Sequence, residues 1–245
     1  MSLSASSAHI YIVWHGEALH NVQRPYPHRD PPLTEAGMRA TMAITLATSP
    51  DLIIISPMTR TIQTAINVFP SLQQVDKFTA PVQIWPELRE ANDATCNKSH
   101  SRAGMQSRFP QFDFSECPEQ WNYPEHTEEG AIARAECVRN RLHGLSNKYR
   151  SIVVISHRGI IAFMVKGRRY NPAEFRSFRF ATDVEAQDEG IRHGLNCDSL
   201  AKQDFGPTVL IPSDTLEPGE VVTSIDLPLR RGSYLLSTRT TPNLA

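Results

Sequence analysis

The chain has 245 residues, of which 40 % are hydrophobic and 21 % charged, and its formal net charge is −1. This composition is typical of a globular protein and excludes a fibrous or wholly disordered chain. It also excludes binding to nucleic acid or to an anionic membrane by bulk electrostatic attraction, so we expect neither partner. No apolar run approaches the ~20 residues that cross a bilayer.

The cysteines and the N-terminus bear on the compartment. The four cysteines are widely spaced and contain no CxxC pair, which is typical of reduced thiols in an intracellular protein. Residues 1–8 have neither a basic end nor an apolar core, so they do not resemble a signal peptide. We therefore expect a cytoplasmic location.

Strand and helix patterns alternate along the chain. Predicted strands lie at residues 9–14, 51–55, 82–85 and 151–155, and predicted helices at 34–48, 56–69 and 128–149. Thr34 is the expected N-cap of the first helix, and Ser56 that of the second, with Pro57 at its first position. This alternation predicts an α/β fold, a three-layer sandwich with a mainly parallel central sheet.

We expect one domain over residues 1–245, because no linker or internal repeat divides the chain. Residues 94–126 interrupt the alternation and are interpreted as a lid or insertion over the sheet. Residues 182–206 are polar without periodicity and are predicted to form a surface loop. A late hairpin is possible between residues 209–211 and 221–225.

Two histidines follow predicted strands directly. His15 comes after the first strand and His157 after the fourth, while Arg60 follows the second strand. Because ligands bind at the carboxyl ends of strands in such sheets, we expect these three side chains to converge on one site. Glycines at 16 and 159 would let the backbone bend closely beside a ligand.

Six blocks of sequence, taken in order, resemble the histidine phosphatase superfamily, also called phosphoglycerate mutase-like. They are residues 14–21 (WHGEALHN), 30–37 (DPPLTEAG), 56–65 (SPMTRTIQTA), 88–90 (LRE), 155–157 (ISH) and 171–176 (NPAEFR). The last block is similar to a late block found in the fungal-type phosphatase branch of this family. The resemblance as a whole covers about residues 9–180.

The resemblance implies a phosphoglycerate mutase-like fold and a role for several residues. His15 would attack phosphorus and become a phosphohistidine, a covalent intermediate that divides one difficult displacement into two easier ones. Arg60 and His157 would bind the phosphoryl oxygens, and Asn21 would donate an amide hydrogen bond to them. Glu90 would protonate the leaving oxygen. The remaining histidines have no metal-like spacing, so we expect no metal and no cofactor.

The chain departs from the family pattern at three places. Trp14 replaces an arginine, so one indole N–H stands where the family has a charge and five donors. Arg158 follows His157 where the family usually has glycine, and it either restores a positive charge or points to solvent. Residues 95–99 (TCNKS) replace an acidic segment found in related phosphatases. We count Trp14 and Arg158 among the candidate substrate-binding residues.

Three functions remain open at this point. The first is a phosphomonoesterase acting on a small organic phosphate, with a reduced set of cations. The second is a cofactor-free acid/base enzyme, an isomerase, dehydratase or cyclase, acting on a substrate without phosphate. The third is an inactive pseudophosphatase. Fold alone does not choose among them.

Overall fold

The computed structural model describes residues 8–73 and 80–213. The strands are β1 (His9–Trp14), β2 (Leu52–Ile55), β3 (Val82–Ile84), β4 (Ser151–Ser156), β5 (Phe175–Phe180), β6 (His193–Leu195), β7 (Lys202–Asp204) and β8 (Leu210–Pro212). The helices are α1 (Leu19–Val22), α2 (Glu35–Met42), α3 (Thr59–Val68), α4 (Arg102–Arg108), α5 (Glu128–Ser146), α6 (Arg158–Met164) and α7 (Glu189–Arg192). Single 3₁₀ turns lie at Pro70–Gln73, Pro86–Leu88, Thr95–Asn97 and Glu185–Gln187.

Six of the strands form one twisted sheet in the order β3-β2-β4-β1-β5-β8. The pairs β3–β2, β2–β4 and β4–β1 are parallel, whereas β5 runs antiparallel to β1 and β8 antiparallel to β5. Strands β2 and β4 are buried along their whole length, as expected of apolar strands covered on both faces.

Alternation along β1 divides the core into two layers. Ile10, Ile12 and Trp14 face one side, where α5 and α6 pack. Tyr11 and Val13 face the other side, with α3 and α4. The sheet therefore lies between two layers of helices, and the predicted three-layer α/β class is confirmed.

Helix α2 ends earlier than the sequence predicts. Thr34 caps it as expected, since its hydroxyl accepts a hydrogen bond from the N–H of Gly37 at 2.9 Å. The helix stops at Met42 rather than continuing to Thr48. Thr48 instead lies against the sheet, where its hydroxyl is 3.2 Å from that of Ser151. The residues after Met42 include several β-branched side chains, which favour helix weakly.

Helix α3 begins at Thr59, two residues after the predicted first position Pro57, and Ser56 does not cap it. Asp30 takes that role from a distant loop. Its carboxylate accepts the backbone N–H of Thr59 at 2.8 Å and the hydroxyl of Thr59 at 2.7 Å. An acidic group at a helix N-terminus satisfies free N–H groups and opposes the helix dipole.

Residues 182–206 contain more structure than a surface loop. They include α7 and the hairpin β6–β7. The side chains of Asn196 and Gln203 are buried and donate to carbonyl oxygens of Ala162 and Phe163 near the end of α6. The hairpin thus closes the C-terminus of α6. Residues 209–211 contribute to β8, while residues 221–225 lie outside the described part of the chain.

Residues 94–126 pack on the side of the sheet that carries α3. They contain the Thr95–Asn97 turn, α4 and two buried aromatic side chains, Phe112 and Phe114, which join the core on that side. The segment is therefore anchored in the core through these aromatic side chains.

Candidate active site

His15 and His157 lie side by side because β1 and β4 are parallel neighbours. Trp14 is paired with Ser156 in the register of these strands, and each histidine is the next residue along. The two imidazole centroids are 5.2 Å apart, and both rings are at most 1 % exposed. The structure thus brings together the two strand ends that the sequence singled out.

The partners of His15 fix its tautomer. Its Nδ1 lies 2.7 Å from the carbonyl oxygen of Gly16, which can only accept, so Nδ1 carries the proton. Nε2 therefore presents a lone pair, which accepts a hydrogen bond from Nε of Arg60 at 3.1 Å. This is the form of imidazole that can act as a nucleophile through Nε2.

Arg60 lies in the first turn of α3 and is completely buried. Besides His15, its guanidinium donates to Nδ1 of His157 at 3.1 Å, to the carbonyl oxygen of Cys96 at 3.0 Å and to Oδ1 of Asn97 at 2.9 Å. All four acceptors are neutral. Among residues 8–73 and 80–213, Arg60 forms no ion pair. One guanidinium therefore joins both histidines to the Thr95–Asn97 turn.

His157 is held by a serine from the end of the neighbouring strand. Because its Nδ1 accepts from Arg60, its proton is on Nε2, which donates to Oγ of Ser56 at 2.8 Å. This contact explains why Ser56 does not cap α3, since its hydroxyl is already engaged. His15 and His157 are thus both neutral and held in defined tautomers.

Burial and positive charge keep the site histidines unprotonated. Burial, followed by the charge of Arg60, holds the pKa values of His15 and His157 well below the ordinary histidine value. The same two causes lower the pKa of His20 to about 3. Burial also lowers the pKa of Arg60. The cluster therefore contains one buried guanidinium among neutral imidazoles at neutral pH.

Glu90 is positioned by backbone N–H groups beside the histidines. Its Oε1 accepts from the N–H of Ala91 at 2.7 Å and from that of Ile160 in the first turn of α6 at 3.0 Å. A Cβ on Gly159 would lie 2.3 Å from this oxygen, so the carboxylate fits only because that residue is glycine. Close approach of Glu90, rather than a bend beside a ligand, explains this glycine.

A polar cleft of about 340 Å³ lies next to this cluster. Glu90, Arg89, Asn97 and Lys98 line it, together with the aromatic rings of residues 121 and 123. Asn97 lines the cleft and also bonds Arg60, so its side chain links the cleft to the buried guanidinium. Glu90 is the candidate catalytic group that faces the open space.

Trp14 is a core residue as well as a neighbour of His15. Its side chain is 5 % exposed and belongs to the same apolar cluster as Tyr170 and Phe178. Its ring centroid lies 5.6 Å from that of His15. The indole Nε1 is buried and has no hydrogen-bond partner among the described residues. Trp14 therefore borders His15 without bringing a positive charge.

Arg158 lies over the indole of Trp14 rather than extending into solvent. Its guanidinium carbon is 5.4 Å from the ring centroid, within the range of a cation–π contact. Its Nε also pairs with Oδ2 of Asp198 at 2.9 Å. After burial and the charge of Arg60, the charge of Arg158 makes a smaller contribution to lowering the pKa of His15.

Asn21 is engaged within its own loop. Its Oδ1 accepts the N–H of Ala18 at 2.9 Å, and its Nδ2 lies 3.3 Å from Nε2 of His20. The ring of His20 is 5.8 Å from the ring of His15. The loop after β1 therefore places His20 beside His15, with Asn21 bonded to it.

Sequence reasoning missed four residues that shape the site. Ser56 orients His157, Asn97 bonds Arg60, Asp30 positions the start of α3, and His20 contacts His15. His20, Asp30 and Ser56 lie inside blocks that resemble the family, and Asn97 lies in the segment that departs from it, but none of these patterns gave the contact that the residue makes. Asp30, Ser56 and Asn97 act through contacts between distant segments, which spacing along the chain does not reveal.

Two classes of feature are absent from the described ranges. No group of three or more His, Cys, Asp or Glu side chains within them is arranged to hold a metal ion. Within the same residues, no helix combines the length and the apolar character that crossing a bilayer requires.

Known proteins that resemble this chain are phosphatases. A family model described as histidine phosphatase superfamily (branch 1) matches residues 10–184. A Schizosaccharomyces pombe protein described as a probable phosphatase is 28 % identical over 122 residues, 47 % of this chain and 56 % of the yeast protein. The Escherichia coli adenosylcobalamin/α-ribazole phosphatase is 30 % identical over 172 residues, 67 % of this chain and 81 % of that protein. The chain thus spans little more than half the length of the yeast relative.

Solved structures share the fold at low identity. An Escherichia coli structure assigned as an α-ribazole-5′-P phosphatase has a TM-score of 0.52 at 20 % identity, covering 72 % of this chain and 92 % of its own. The ecdysone phosphate phosphatase of Bombyx mori, solved in complex with tungstate, has a TM-score of 0.52 at 13 % identity, covering 70 % and 89 %.

The buried histidines predict that the protein loses stability in mild acid. Burial lowers the pKa values of His15, His157 and His20 in the folded chain. In the unfolded chain these histidines have the ordinary pKa of about 6.5, so below that pH the unfolded chain binds protons that the folded chain does not bind. Stability is therefore full above pH ~6.5 and decreases as the pH falls toward the folded pKa values. Each of these histidines lowers the free energy of unfolding by about 1.4 kcal/mol for every pH unit in that window.

Urea unfolding at about pH 7 and about pH 5.5 measures this effect. The free energy of unfolding should decrease less between the two pH values in His157→Gln than in the wild type, because the variant lacks one of the histidines that bind a proton on unfolding. His143→Ala, which removes an exposed histidine of α5, should keep the wild-type difference. Equal stability of the wild type at both pH values would contradict the prediction.

Proposed function

Because the chain belongs to the histidine phosphatase superfamily, branch 1, we propose that it is a phosphomonoesterase that hydrolyses a small organic phosphate through a phosphohistidine. The observation that carries the proposal is the fixed tautomer of His15. Its proton is held by the carbonyl of Gly16 at 2.7 Å, so Nε2 carries the lone pair; this lone pair now accepts from Nε of Arg60 at 3.1 Å and would be released when the guanidinium turns to the phosphoryl group. A nucleophile and a phosphoryl-binding cation are thus already in contact.

The reaction would proceed in two displacements. Nε2 of His15 attacks phosphorus, the ester P–O bond breaks, and the leaving oxygen takes a proton from Glu90. A water molecule then attacks the phosphohistidine and gives its proton to Glu90, the P–N bond breaks, and inorganic phosphate is released. Oε2 of Glu90 suits this exchange, because the two backbone N–H groups engage only Oε1.

Phosphate would bind Arg60 by replacing its present neutral acceptors. The carbonyl of Cys96 and the amide of Asn97 now occupy guanidinium donors that a phosphoryl group could take instead. An anionic oxygen is the stronger acceptor, and guanidinium matches phosphate geometry. Residues 94–126 would then act as a lid, because the Thr95–Asn97 turn must withdraw before phosphate reaches the histidines.

Arg158 would supply the positive charge that Trp14 does not. It lies 5.4 Å from the indole ring and close enough to His15 to lower the pKa of that histidine. Asn21 would donate the second N–H of its amide to the same phosphoryl group, while the first stays on Nε2 of His20. The cleft beside Glu90, with charged and aromatic walls, would hold the organic part of the substrate.

The alternatives lack a comparable supporting observation. A cofactor-free acid/base enzyme does not require a guanidinium between its two histidines, and a pseudophosphatase does not require a fixed nucleophile tautomer.

The four cysteines are free thiols, in line with a reducing compartment such as the cytoplasm.

Replacing the nucleophile tests the proposal directly. His15→Ala should abolish hydrolysis of p-nitrophenyl phosphate, because no other group takes its place on the phosphorus. Rapid quenching should also trap an acid-labile phosphoprotein in the wild type and none in the variant. His143→Ala, outside the cluster, should retain wild-type turnover. Hydrolysis that persists in purified His15→Ala would refute the phosphohistidine route.

Replacing Glu90 tests the general acid. Glu90→Gln keeps an oxygen for the N–H groups of Ala91 and Ile160 but removes the transferable proton. We expect kcat to fall by about 10²–10⁴ for alkyl phosphates, whose leaving oxygen needs the proton. The loss for p-nitrophenyl phosphate should be much smaller. An equal loss with both substrates would assign Glu90 a positioning role instead.

Two arginines that share one carboxylate form a matched pair. Arg158 and Arg169 both bond Asp198, at 2.9 and 3.0 Å, but only Arg158 contacts Trp14. Arg158→Gln should lower kcat/KM by about 10²-fold, the loss expected when a donor to the transition state is removed. Arg169→Gln should leave kcat/KM near the wild-type value. Similar values for both variants would rule out Arg158 as a phosphoryl ligand.

A further inference from the structure

His20 is a neutral donor whose tautomer is set by its neighbour. Oδ1 of Asn21 accepts the backbone N–H of Ala18 at 2.9 Å, which fixes the orientation of the amide. Nδ2 of Asn21 must then donate to Nε2 of His20, 3.3 Å away. A neutral imidazole that accepts at Nε2 carries its proton on Nδ1. His20 therefore presents an Nδ1–H group.

This N–H group lacks an acceptor. Nδ1 of His20 is buried from solvent and has no hydrogen-bond partner among the described residues. A buried donor without an acceptor is unfavourable, and folded proteins rarely retain one. The group is thus suited to an acceptor that arrives from outside the chain.

The surroundings of His20 select a negatively charged acceptor. Its ring lies 5.8 Å from the ring of His15. Three guanidinium groups, those of Arg60, Arg24 and Arg158, act electrostatically on this imidazole and help to keep it neutral. The same three charges would attract an anion into the space beside His15.

We propose that Nδ1–H of His20 binds an oxygen of the phosphoryl group and so replaces part of the donor set that Trp14 lacks. The inference rests on the proposed phosphatase function. It makes His20 a substrate-contacting residue, whereas a structural role would confine it to holding the amide of Asn21 through Nε2.

Three substitutions separate these roles. His20→Asn can place an amide N–H near the position of Nδ1, whereas His20→Gln can place an amide oxygen near the position of Nε2. His20→Phe keeps a ring of similar shape without either group. If the donor matters, His20→Phe and His20→Gln should raise KM and the inhibition constant of inorganic phosphate by about 10- to 100-fold. His20→Asn should recover most of this loss. Recovery by His20→Gln but not by His20→Asn would overturn the proposal in favour of the structural role.

A spectroscopic experiment makes the test independent of turnover. Long-range ¹H–¹⁵N spectra of ¹⁵N-labelled protein report which nitrogen of His20 is protonated, and inorganic phosphate serves as the probe. We expect the Nδ1–H tautomer and a shift of its signals on titration with phosphate. A proton on Nε2, or signals that phosphate leaves unchanged, would overturn the proposal.

The outcomes also distinguish the two proposals. Phosphate-dependent shifts at His20 in a protein that hydrolyses no phosphate ester would support the anion contact and refute the phosphatase function. Hydrolysis that requires His15 but shows a wild-type KM and phosphate inhibition in His20→Phe would support the function and overturn the role of His20.

Discussion

The site is organised around one buried cation. Arg60 has no exposed surface and bonds both His15 and His157 as well as the Thr95–Asn97 turn. A guanidinium in this position requires its helix to start at the right place, and Asp30 secures that start by bonding Thr59. The parallel register of β1 and β4 supplies the two imidazoles. If Arg60 were displaced, both histidines would lose a partner that defines their geometry.

Local sequence pattern was sufficient for the four parallel strands of the sheet, but it did not predict the antiparallel strand β5 or all the contacts around the sheet. The apolar runs at β1, β2 and β4 predicted buried parallel strands, and the histidines after β1 and β4 fall at adjacent strand ends. The role of Ser56 could not be predicted in this way, because its hydroxyl is bonded by a histidine 101 residues later in the chain. The length of α2 also depended on tertiary contacts, since Thr48 is held by Ser151 of β4.

The substitution at position 14 shows how one residue can serve the core and alter the site together. Alternation along β1 directs Trp14 toward the same side as Ile10 and Ile12, where a large aromatic ring packs well. The ring also forms a flat surface against which Arg158 lies. Under the proposed function, the positive charge would thus come from the end of β4 instead of the end of β1. The phosphoryl group would occupy the same position whether the cation follows β4 or lies at the end of β1.

The neutral partners of Arg60 have a thermodynamic consequence for the whole molecule. Burying a charge without a counter-ion opposes folding, and hydrogen bonds from neutral groups offset only part of that cost. An anion that binds the folded chain at Arg60, and not the unfolded chain, adds RT ln(1 + [L]/Kd) to the stability through linkage. The apparent melting temperature of the protein is therefore a property of the protein together with the oxyanions in its buffer, and values measured in phosphate and in a non-coordinating buffer describe two different ligation states.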